Sequence, residues 1–356
     1  MNEKSPRREA GSPEERARVT VHDVAREAGV SLATVDRVLN GRPGVRATTA
    51  QKVEDAIQAL DFRRDLSASL LARSRDLTVH FFIPDGANEF MDNLAAAIRR
   101  RVRTARAERL KIETTRLRAL DSEDAATHLD ALTRKGCDCA VIVATDNPAV
   151  AQAVEAATRR GITVMTLVSD LPGSSRRHFI GIDNVAAGRT AAALVGRFCP
   201  QGGKVGIIAG SLALRDHEER LEGFLAVARA EFPGLDILGP FEGHDDSAET
   251  SSLTAALLAQ HADLVALYNL GAGNAGLLPA LEASGRAGKL RVVAHEITEA
   301  TRAGLLSGAI DVVLDQNPDQ EIRAAIAAAR ALAQHGSGAI EHERIEIGIF
   351  LRDNLR

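Results

Sequence analysis

The spacing of apolar positions divides the chain into two parts. From Leu77 onward, apolar runs of strand length alternate with amphipathic segments of helical spacing. The predicted strands are TVHFFIP, KIETTRL, CAVIVAT, TVMTLVS, KVGIIAG, LDILGPF, DLVALYN, LRVVAHE and IDVVLDQ. This alternation predicts parallel sheets with helices on both faces, and so many strands divide most naturally between two lobes. We therefore predict an α/β body of two lobes, each with a doubly wound parallel sheet.

The N-terminal part shows three short helical patterns instead. Thr20 and Asp23 form a capping-box-like start to the first pattern. Gly29 permits a tight turn, after which Ser31 caps the second. The apolar stripes contain Val21, Val24, Ala25 and Ala28, then Val35, Val38 and Leu39, then Val53, Ile57 and Leu60. This pattern predicts an all-α helix-turn-helix head whose second helix can enter the major groove, with a generic helical hairpin as the alternative.

Charge and apolar content separate the head from the body. The net charge of the 356 residues is −4, but the first 75 residues hold 14 Lys and Arg against 11 Asp and Glu, whereas the other 281 hold 30 against 37. A basic head on an acidic body is typical of a nucleic-acid-binding module joined to another domain. Residues 1–18 have almost no apolar content, which predicts a disordered tail without a signal peptide.

Two other classes of protein are disfavoured. No run reaches the roughly 18 apolar residues of a transmembrane helix, so we expect a cytoplasmic protein with no membrane partner. Cys137 and Cys139 could hold a metal, but they run into the apolar stretch AVIVA, and no second pair of ligands is in view. We therefore expect neither a metal nor a cofactor.

A glycine-rich motif offers an enzymatic alternative. Gly271, Gly273 and Gly276 form a GxGxxG after the strand DLVALYN, and Glu296 ends the following strand. This arrangement fits a dinucleotide site, so an NAD-linked enzyme with an appended DNA-binding head is the alternative function. Such glycines also occur because they let a helix pack closely. No proton-donor constellation accompanies them, and we favour a protein without enzymatic activity or catalytic residues.

The motifs of the head follow a known order. DVAREAGVS, TVDRVLN, a Gly-Pro turn, Val45 and KVEDAIQAL occur in succession between Val19 and Leu71. In this order they resemble the DNA-binding head of the lactose-repressor (LacI-type) family of transcription regulators. The resemblance implies that Leu32, Ala33 and Arg37 meet base edges, with Arg37 as the strong donor to guanine. Asp36 either accepts from a cytosine or only orients Arg37.

The resemblance also implies a hinge helix in DFRRDLSASLLAR that orders on DNA. Leu71 is expected to insert into the minor groove and kink the duplex, with ordinary packing as the alternative. Arg64 replaces the proline usual before the hinge, and Arg46 replaces the serine that caps the third helix, so both are candidate phosphate contacts. The expected DNA-binding residues are Thr20, Ser31, Leu32, Ala33, Thr34, Asp36, Arg37, Asn40, Arg46, Arg64 and Leu71.

The body carries a second resemblance. HFIGIDNVAAGRTAAAL, EERLEGFLAVA and VVAHEITEATRAGLLSGAIDVVLDQNP resemble the effector domain of the same family and periplasmic sugar-binding proteins of the ribose type. This implies a ligand held between two lobes and three crossings of the chain, near His178, within Thr298–Ser307 and within Ser337–Glu341. The predicted domains are the tail at 1–18, a helix-turn-helix domain at 19–62, a hinge helix and linker at 63–76, and an effector-binding and dimerisation domain at 77–356. Lobe one is predicted at about 77–178 and 308–336, and lobe two at about 179–305 and 338–356.

The ligand-binding candidates lie mainly at strand ends, where doubly wound folds bind ligands. They are Asn88, Phe90, Thr145, Asp146, Ser169, Asp170, Arg220, Tyr268, Asn269, His295, Glu296 and Gln316. Their polar side chains suit a sugar or polyol, and Phe90 and Tyr268 are the expected stacking platforms. Arg220 could instead pair with a nearby glutamate, and Tyr268 could belong to the core. His295-Glu296 and Val168-Ser169 depart from the ribose pattern, which argues against a common pentose.

Together these features predict a homodimeric transcription repressor whose affinity for palindromic operator DNA is controlled by a small ligand. The sequence ends at IGIFLRDNLR without a heptad tail, so we expect a dimer rather than a tetramer. A binding protein whose degenerate head no longer reads DNA is a further alternative.

Overall fold

The computed structural model describes residues 20–39, 44–60, 76–86, 88–335 and 345–355. The chain divides into two compact units, a head within Met1–Ala72 and a body within Arg73–Arg356, which are described separately. The predicted tail, most of the predicted hinge and the third predicted crossing lie outside the described residues. So do three expected DNA contacts, Asn40, Arg64 and Leu71.

The head contains three helices, α1 (Val21–Glu27), α2 (Leu32–Leu39) and α3 (Ala47–Ala59). Thr20 and Asp23 form the predicted capping box, and the backbone N–H of Thr34 donates to Ser31 Oγ over 3.2 Å at the start of α2. Gly29 turns the chain with a φ of 64°. The buried core consists of Val24, Ala25, Val35, Val53 and Ala56. The predicted three-helix core is confirmed.

The described part of the body contains eleven strands and nine α-helices. The strands are β1 (Leu77–Pro84), β2 (Leu110–Leu117), β3 (Cys139–Ile142), β4 (Thr163–Leu167), β5 (His178–Ile180), β6 (Gly203–Ala209), β7 (Leu235–Glu242), β8 (Leu264–Asn269), β9 (Arg291–His295), β10 (Val312–Asp315) and β11 (Gly348–Phe350). The helices are α4 (Glu89–Ala105), α5 (Ser122–Asp130), α6 (Pro148–Arg159), α7 (Asn184–Phe198), α8 (Arg215–Glu231), α9 (Ser247–Gln260), α10 (Asn274–Ala283), α11 (Glu299–Ser307) and α12 (Pro318–His335). All the predicted strands are present.

Two sheets with the same internal order form the two lobes. The first has the order β2-β1-β3-β4-β5 and is parallel throughout. The second has the order β7-β6-β8-β9-β10-β11, in which β11 alone of the described strands is antiparallel. In both sheets the order reverses beside the first strand, and this switch point is where doubly wound folds bind ligands. The predicted fold class is confirmed.

The second crossing between lobes lies later than predicted. The sequence placed it within Thr298–Ser307 and assigned 308–336 to lobe one. Instead, β10 pairs with β9 in the second sheet, and the chain returns only at Gln316 and Asn317. Helix α12 then packs on the first lobe, where Asp319 accepts hydrogen bonds from Arg100 and Glu108 pairs with Arg330. The prediction was wrong because an apolar run such as VVLD fits either sheet equally well.

Candidate functional site

The head exposes the N-terminal half of α2. Leu32 is 44% exposed despite its apolar side chain, and Ala33, Asp36 and Arg37 are also exposed, while Val35 faces the core. Of the other described candidates, Thr20, Ser31 and Arg46 are exposed and Thr34 is half-buried. The Arg46 side chain makes no capping hydrogen bond to α3, although the residue occupies the capping position. An exposed, largely apolar helix start is suited to contact with base edges.

A cleft of about 260 Å³ lies between the two lobes of the body. It is lined on the first lobe by residues that follow β1, β2, β3 and β4, and on the second by the start of α8 and the ends of β7, β8 and β9. The predicted ligand-binding residues that line it are Asn88, Phe90, Thr145, Ser169, Arg220, Glu296 and Gln316. They come together because parallel strands present their carboxyl ends at one edge of each sheet.

The remaining predicted residues do not line the cleft. Tyr268 is fully buried, its ring stacks on Phe224, and its hydroxyl lies 2.9 Å from His295 Nε2. The alternative of a core tyrosine therefore holds, and Tyr268 is not a platform for a sugar ring. Asn269 bonds to Asn274 Oδ1 over 2.8 Å.

Two predicted residues of the first lobe also point elsewhere. The Asp170 carboxylate pairs with Arg176 and accepts from Thr166 Oγ1. Asp146 is exposed and does not line the cleft, and its backbone N–H donates to the Ala213 carbonyl.

Arg220 is held at the floor of the cleft with 2% of its surface exposed. Its Nε donates to Asn184 Oδ1 and its Nη1 to the Leu270 carbonyl, both over 2.9 Å. Its Nη2 lies 3.7 Å from Glu296 Oε1 and 3.9 Å from Asp216 Oδ2. The predicted alternative of pairing with Glu218, Glu219 or Glu222 is not what the structure shows: Glu218 and Glu219 bond to Arg215.

Several buried polar atoms of the cleft have no hydrogen-bond partner among the described residues. They are Arg220 Nη2, Asp216 Oδ1 and Gln316 Oε1. An unpaired buried polar group costs about 1–3 kcal/mol, so native proteins rarely leave several side by side. Their convergence on one cleft indicates a site for a polar ligand.

Hydrogen bonds across the cleft hold the lobes closed. Ser169 Oγ accepts from the Arg215 backbone N–H over 2.9 Å, and Asn88 Nδ2 donates to Asp245 Oδ2 over 3.2 Å. The Asp146 bond to Ala213 described above also joins the lobes, over 2.9 Å. Closure of this kind buries the polar floor and strengthens its electrostatic interactions.

Backbone strain is also concentrated at the cleft. Among the described non-glycine residues with positive φ, Leu120, Val168, His244, Asp245 and Glu296 all line it, with φ values between 50° and 67°. Such conformations cost about 1–3 kcal/mol each and persist mainly at functional sites. This observation is independent of the unpartnered polar atoms, and it points to the same site.

The acidic residues of the cleft that were missed from the sequence are Asp85, Asp121, Asp216, Asp245 and Asp246. Asp216 lies one helical turn before Arg220 on α8, and Asp245 follows β7. The i, i+4 spacing within DHEER would have identified Asp216, because residues four apart share a helix face. Asp245 follows β7, an edge strand whose sequence does not reveal that its end borders the cleft.

Burial and, to a smaller extent, nearby Asp315 raise the pKa of Glu296 to about 8, although Arg220 and the hydrogen bonds from Gln316 oppose the shift. Gln316 Nε2 donates to Glu296 Oε1 over 2.8 Å. Burial also raises the pKa of Glu321, on α12, well above its usual range. A pKa near 8 leaves Glu296 largely protonated at neutral pH.

The protonated Glu296 predicts a specific pH dependence of stability. Between the unfolded pKa and about 8, the folded state keeps a proton that the unfolded state releases, so stability falls as pH rises through this window. Between about pH 6 and 8, Glu296 should lower the free energy of unfolding of the wild-type protein by about 2 kcal/mol. We expect Glu296→Gln to abolish this decrease, as measured by urea denaturation. Glu299→Gln, at an exposed carboxyl, is the control. An unchanged slope in Glu296→Gln would contradict the assignment.

The GxGxxG motif spans the loop after β8 and the first turn of α10, and close packing accounts for its glycines. A Cβ on Gly276 would lie 1.7 Å from the Ser247 carbonyl oxygen on α9, and one on Gly273 would lie 2.2 Å from Thr250 Oγ1. A Cβ on Gly271 would lie 2.5 Å from the Gly210 nitrogen. The glycines therefore let α10 approach α9 closely. This agrees with the alternative interpretation of the motif, in which its glycines serve helix packing and not dinucleotide binding.

The described residues also bear on cysteine chemistry, metal binding and membrane spans. The three cysteines are buried, and burial raises the pKa of Cys137 to about 12 and that of Cys139 well above its usual range. The described residues contain no cluster of potential metal ligands. None of their helices combines the length and apolarity needed to cross a bilayer.

Comparison with known proteins assigns both units to families. Residues 79–337 match the periplasmic binding protein domain family, and residues 20–65 match the bacterial regulatory proteins of the lacI family. The chain therefore combines a lacI-type helix-turn-helix head with a two-lobed body of the periplasmic-binding-protein fold. The chain belongs to the periplasmic-binding-protein domain family and carries a lacI-type head, which confirms the predicted resemblance. These are not families of enzymes, and the alternative of an NAD-linked enzyme is not supported.

Individual relatives agree with this assignment. Catabolite control protein A from Priestia megaterium is 48% identical over 80 residues, which are 22% of this chain and 24% of that relative. The match thus spans about a quarter of the relative. An ABC transporter solute-binding protein from Burkholderia graminis C4D1M, solved with D-arabinose, is 25% identical with a TM-score of 0.72, covering 79% of this chain and 96% of that one. GanP, a glucose-galactose binding protein from Geobacillus stearothermophilus, shares the fold at 20% identity, with a TM-score of 0.70 and coverage of 79% and 99%.

Proposed function

We propose that the protein is a homodimeric transcription repressor that binds palindromic operator DNA in the cytoplasm and responds to a sugar or polyol held between its lobes. The observation that carries the ligand half is the set of unpartnered buried polar atoms in the cleft, Arg220 Nη2, Asp216 Oδ1 and Gln316 Oε1. Polyols both donate and accept hydrogen bonds and so match such a mixed set. The relatives solved with or named for sugars support the same ligand class.

Control of DNA binding follows from linkage between the two sites. A ligand that favours the closed lobes changes the equilibrium between body conformations, and a two-fold dimer transmits this change to both heads. The expected coupling is about 1–3 kcal/mol, or roughly 5- to 150-fold in operator affinity. The deepest contacts of such a ligand would be Arg220, Glu296 and Gln316, with Phe90 as the apolar platform.

The proposal is tested on the full chain in two steps. Genomic fragments that the protein retains are first selected, and their affinity is then measured by fluorescence anisotropy with and without neutral sugars and polyols. We expect at least one ligand to stabilise the protein in a thermal-shift assay and to shift operator affinity at least fivefold. Stabilisation by NAD alone would support the enzymatic alternative instead. Failure to retain any specific fragment would favour a degenerate head.

Arg37 carries a separate prediction about base recognition. Replacing this exposed arginine with alanine should remove about 1–3 kcal/mol of discrimination at one guanine position, because a bidentate contact is lost. Binding of the wild-type and Arg37→Ala proteins to single-base operator variants measures this effect. Arg26→Ala, at an exposed arginine of α1 that pairs with Asp23, is the matched control. Equal weakening on every sequence would instead make Arg37 a phosphate contact.

A further inference from the structure

The charge of the inner cleft is unbalanced. Its acidic lining residues are Asp85, Asp121, Asp216, Asp245, Asp246 and Glu296, its basic ones are Arg118, the buried Arg220, His217 and His244, and none of the residues that line it is a lysine. The other arginine at the cleft, Arg118, is exposed and engaged by Asp124 over 3.2 Å. Even with Glu296 protonated, the acidic residues that line the cleft outnumber its two arginines.

Asp216 differs from Asp245 and Glu296 in its unused bonding capacity. Asp245 Oδ1 accepts from the Ala272 N–H over 2.8 Å and its Oδ2 from Asn88, while Glu296 accepts from Gln316. Asp216 is only 4% exposed, and its Oδ1 has no hydrogen-bond partner among the described residues. Its Oδ2 lies 3.7 Å from His217 Nε2 and 3.9 Å from Arg220 Nη2. A carboxylate in this state can only accept hydrogen bonds.

The unpartnered atoms favour a ligand rich in donors. Asp216 Oδ1 and Gln316 Oε1 are both acceptors, against the single donor Arg220 Nη2. An ammonium group supplies three donors and no acceptor, together with a positive charge. A phosphate or carboxylate would supply only acceptors and would place a negative charge beside Asp216. Arg220 would offer such a group only its Nη2, because its Nε and Nη1 are already used by Asn184 and Leu270.

We propose that the cleft selects an amino sugar or aminopolyol over the corresponding neutral sugar and excludes acidic and phosphorylated sugars, with Asp216 as the residue that receives the ammonium group. This inference rests on the proposed function, since it specifies the class of polyhydroxylated ligand. Asp216 thereby becomes the residue that determines specificity by charge, while Arg220 and Gln316 bind the neutral hydroxyls.

The test is calorimetric titration of the full-length protein with matched ligand series. For glucose, galactose and mannose, the parent sugar, the 2-amino sugar, its N-acetyl derivative and the uronate are titrated at about pH 6.5, where a sugar amine is charged. We expect the 2-amino form of the preferred series to bind about tenfold more tightly than its parent, and the uronate not to bind, because the charges of the cleft attract one and repel the other. The N-acetyl form, which keeps the N–H but loses the charge, should lose this advantage.

Two variants locate the effect. Asp216→Asn should bind the parent and 2-amino forms equally, whereas Asp85→Asn should keep the preference, because Asp85 is exposed at the mouth of the cleft and pairs with Arg116. Equal binding of parent and amino forms by the wild-type protein, or uronate binding as tight as the parent, would overturn the inference while leaving the sugar-binding function intact. A preference that survives Asp216→Asn would also overturn it. Binding of no form by the wild-type protein would contradict both proposals.

Discussion

Replacing Arg220 with methionine is expected to abolish ligand binding and to lower the free energy of unfolding by about 3 kcal/mol, because the change breaks a buried charge cluster on one side only. Asn184 Oδ1 and the Leu270 carbonyl would each lose their donor, and Asp216 would remain as an uncompensated buried carboxylate. Urea denaturation measures the loss of stability. Calorimetric titration with the ligand found by screening measures the loss of affinity, which we expect to be at least about a hundredfold.

Two further variants separate binding from folding. Arg220→Lys keeps the charge but not the planar fork, so it should fold better than Arg220→Met while still losing affinity. Arg229→Met removes an exposed arginine from the same helix, α8, and should change stability by no more than about 0.5 kcal/mol. Ligand affinity within threefold of wild type in a folded Arg220→Met protein would contradict the role of Arg220.

Sequence periodicity was sufficient to predict both folds but not the pairing of every strand. The head could be predicted because each local signal agreed: Thr20 caps α1, Gly29 turns the chain, and Val35 faces the core. In the body, β5 and β11 were missed because three residues are too few for a recognisable alternation. The sheet to which β10 belongs depends on long-range contacts with β9 that no local pattern encodes.

The rule that doubly wound folds bind ligands at the carboxyl ends of their strands located the cleft. It did not determine the direction in which each side chain points. His295, the last residue of β9, is buried against Tyr268, whereas Glu296 follows the strand in a left-handed conformation and reaches the cleft. For Asp170, the residue type alone did not show whether the carboxylate binds a ligand or pairs within the protein. In the structure it forms an ion pair with Arg176. Conversely, Asp216 lies on a helix and not at a strand end. Only its spacing of four residues from Arg220 could have indicated that it lines the cleft.

The packing of α7 against α8 links the core of the second lobe to the ligand site. Gly188 of α7 and Gly223 of α8 face the partner backbone: a Cβ on Gly188 would lie 1.9 Å from the Arg220 carbonyl oxygen, and one on Gly223 would lie 2.1 Å from the Val185 carbonyl oxygen. Gly188 is one turn after Asn184, which holds Arg220 Nε. The separation of the two helices therefore sets the position of the guanidinium in the cleft.

Gly188→Ala is accordingly expected to lower the free energy of unfolding by about 3 kcal/mol, since the backbone of α8 can accommodate the added methyl group only by moving away. The same movement should lengthen the bond between Asn184 and Arg220 and weaken ligand binding about tenfold, as in other cases where a distant packing change misplaces a binding group. Urea denaturation and calorimetric titration measure the two effects on one sample. Gly173→Ala, at a loop glycine where a Cβ would meet nothing within 4 Å, is the control and should leave both quantities unchanged. A Gly188→Ala protein as stable as Gly173→Ala would mean that the close approach of α7 and α8 does not position Arg220.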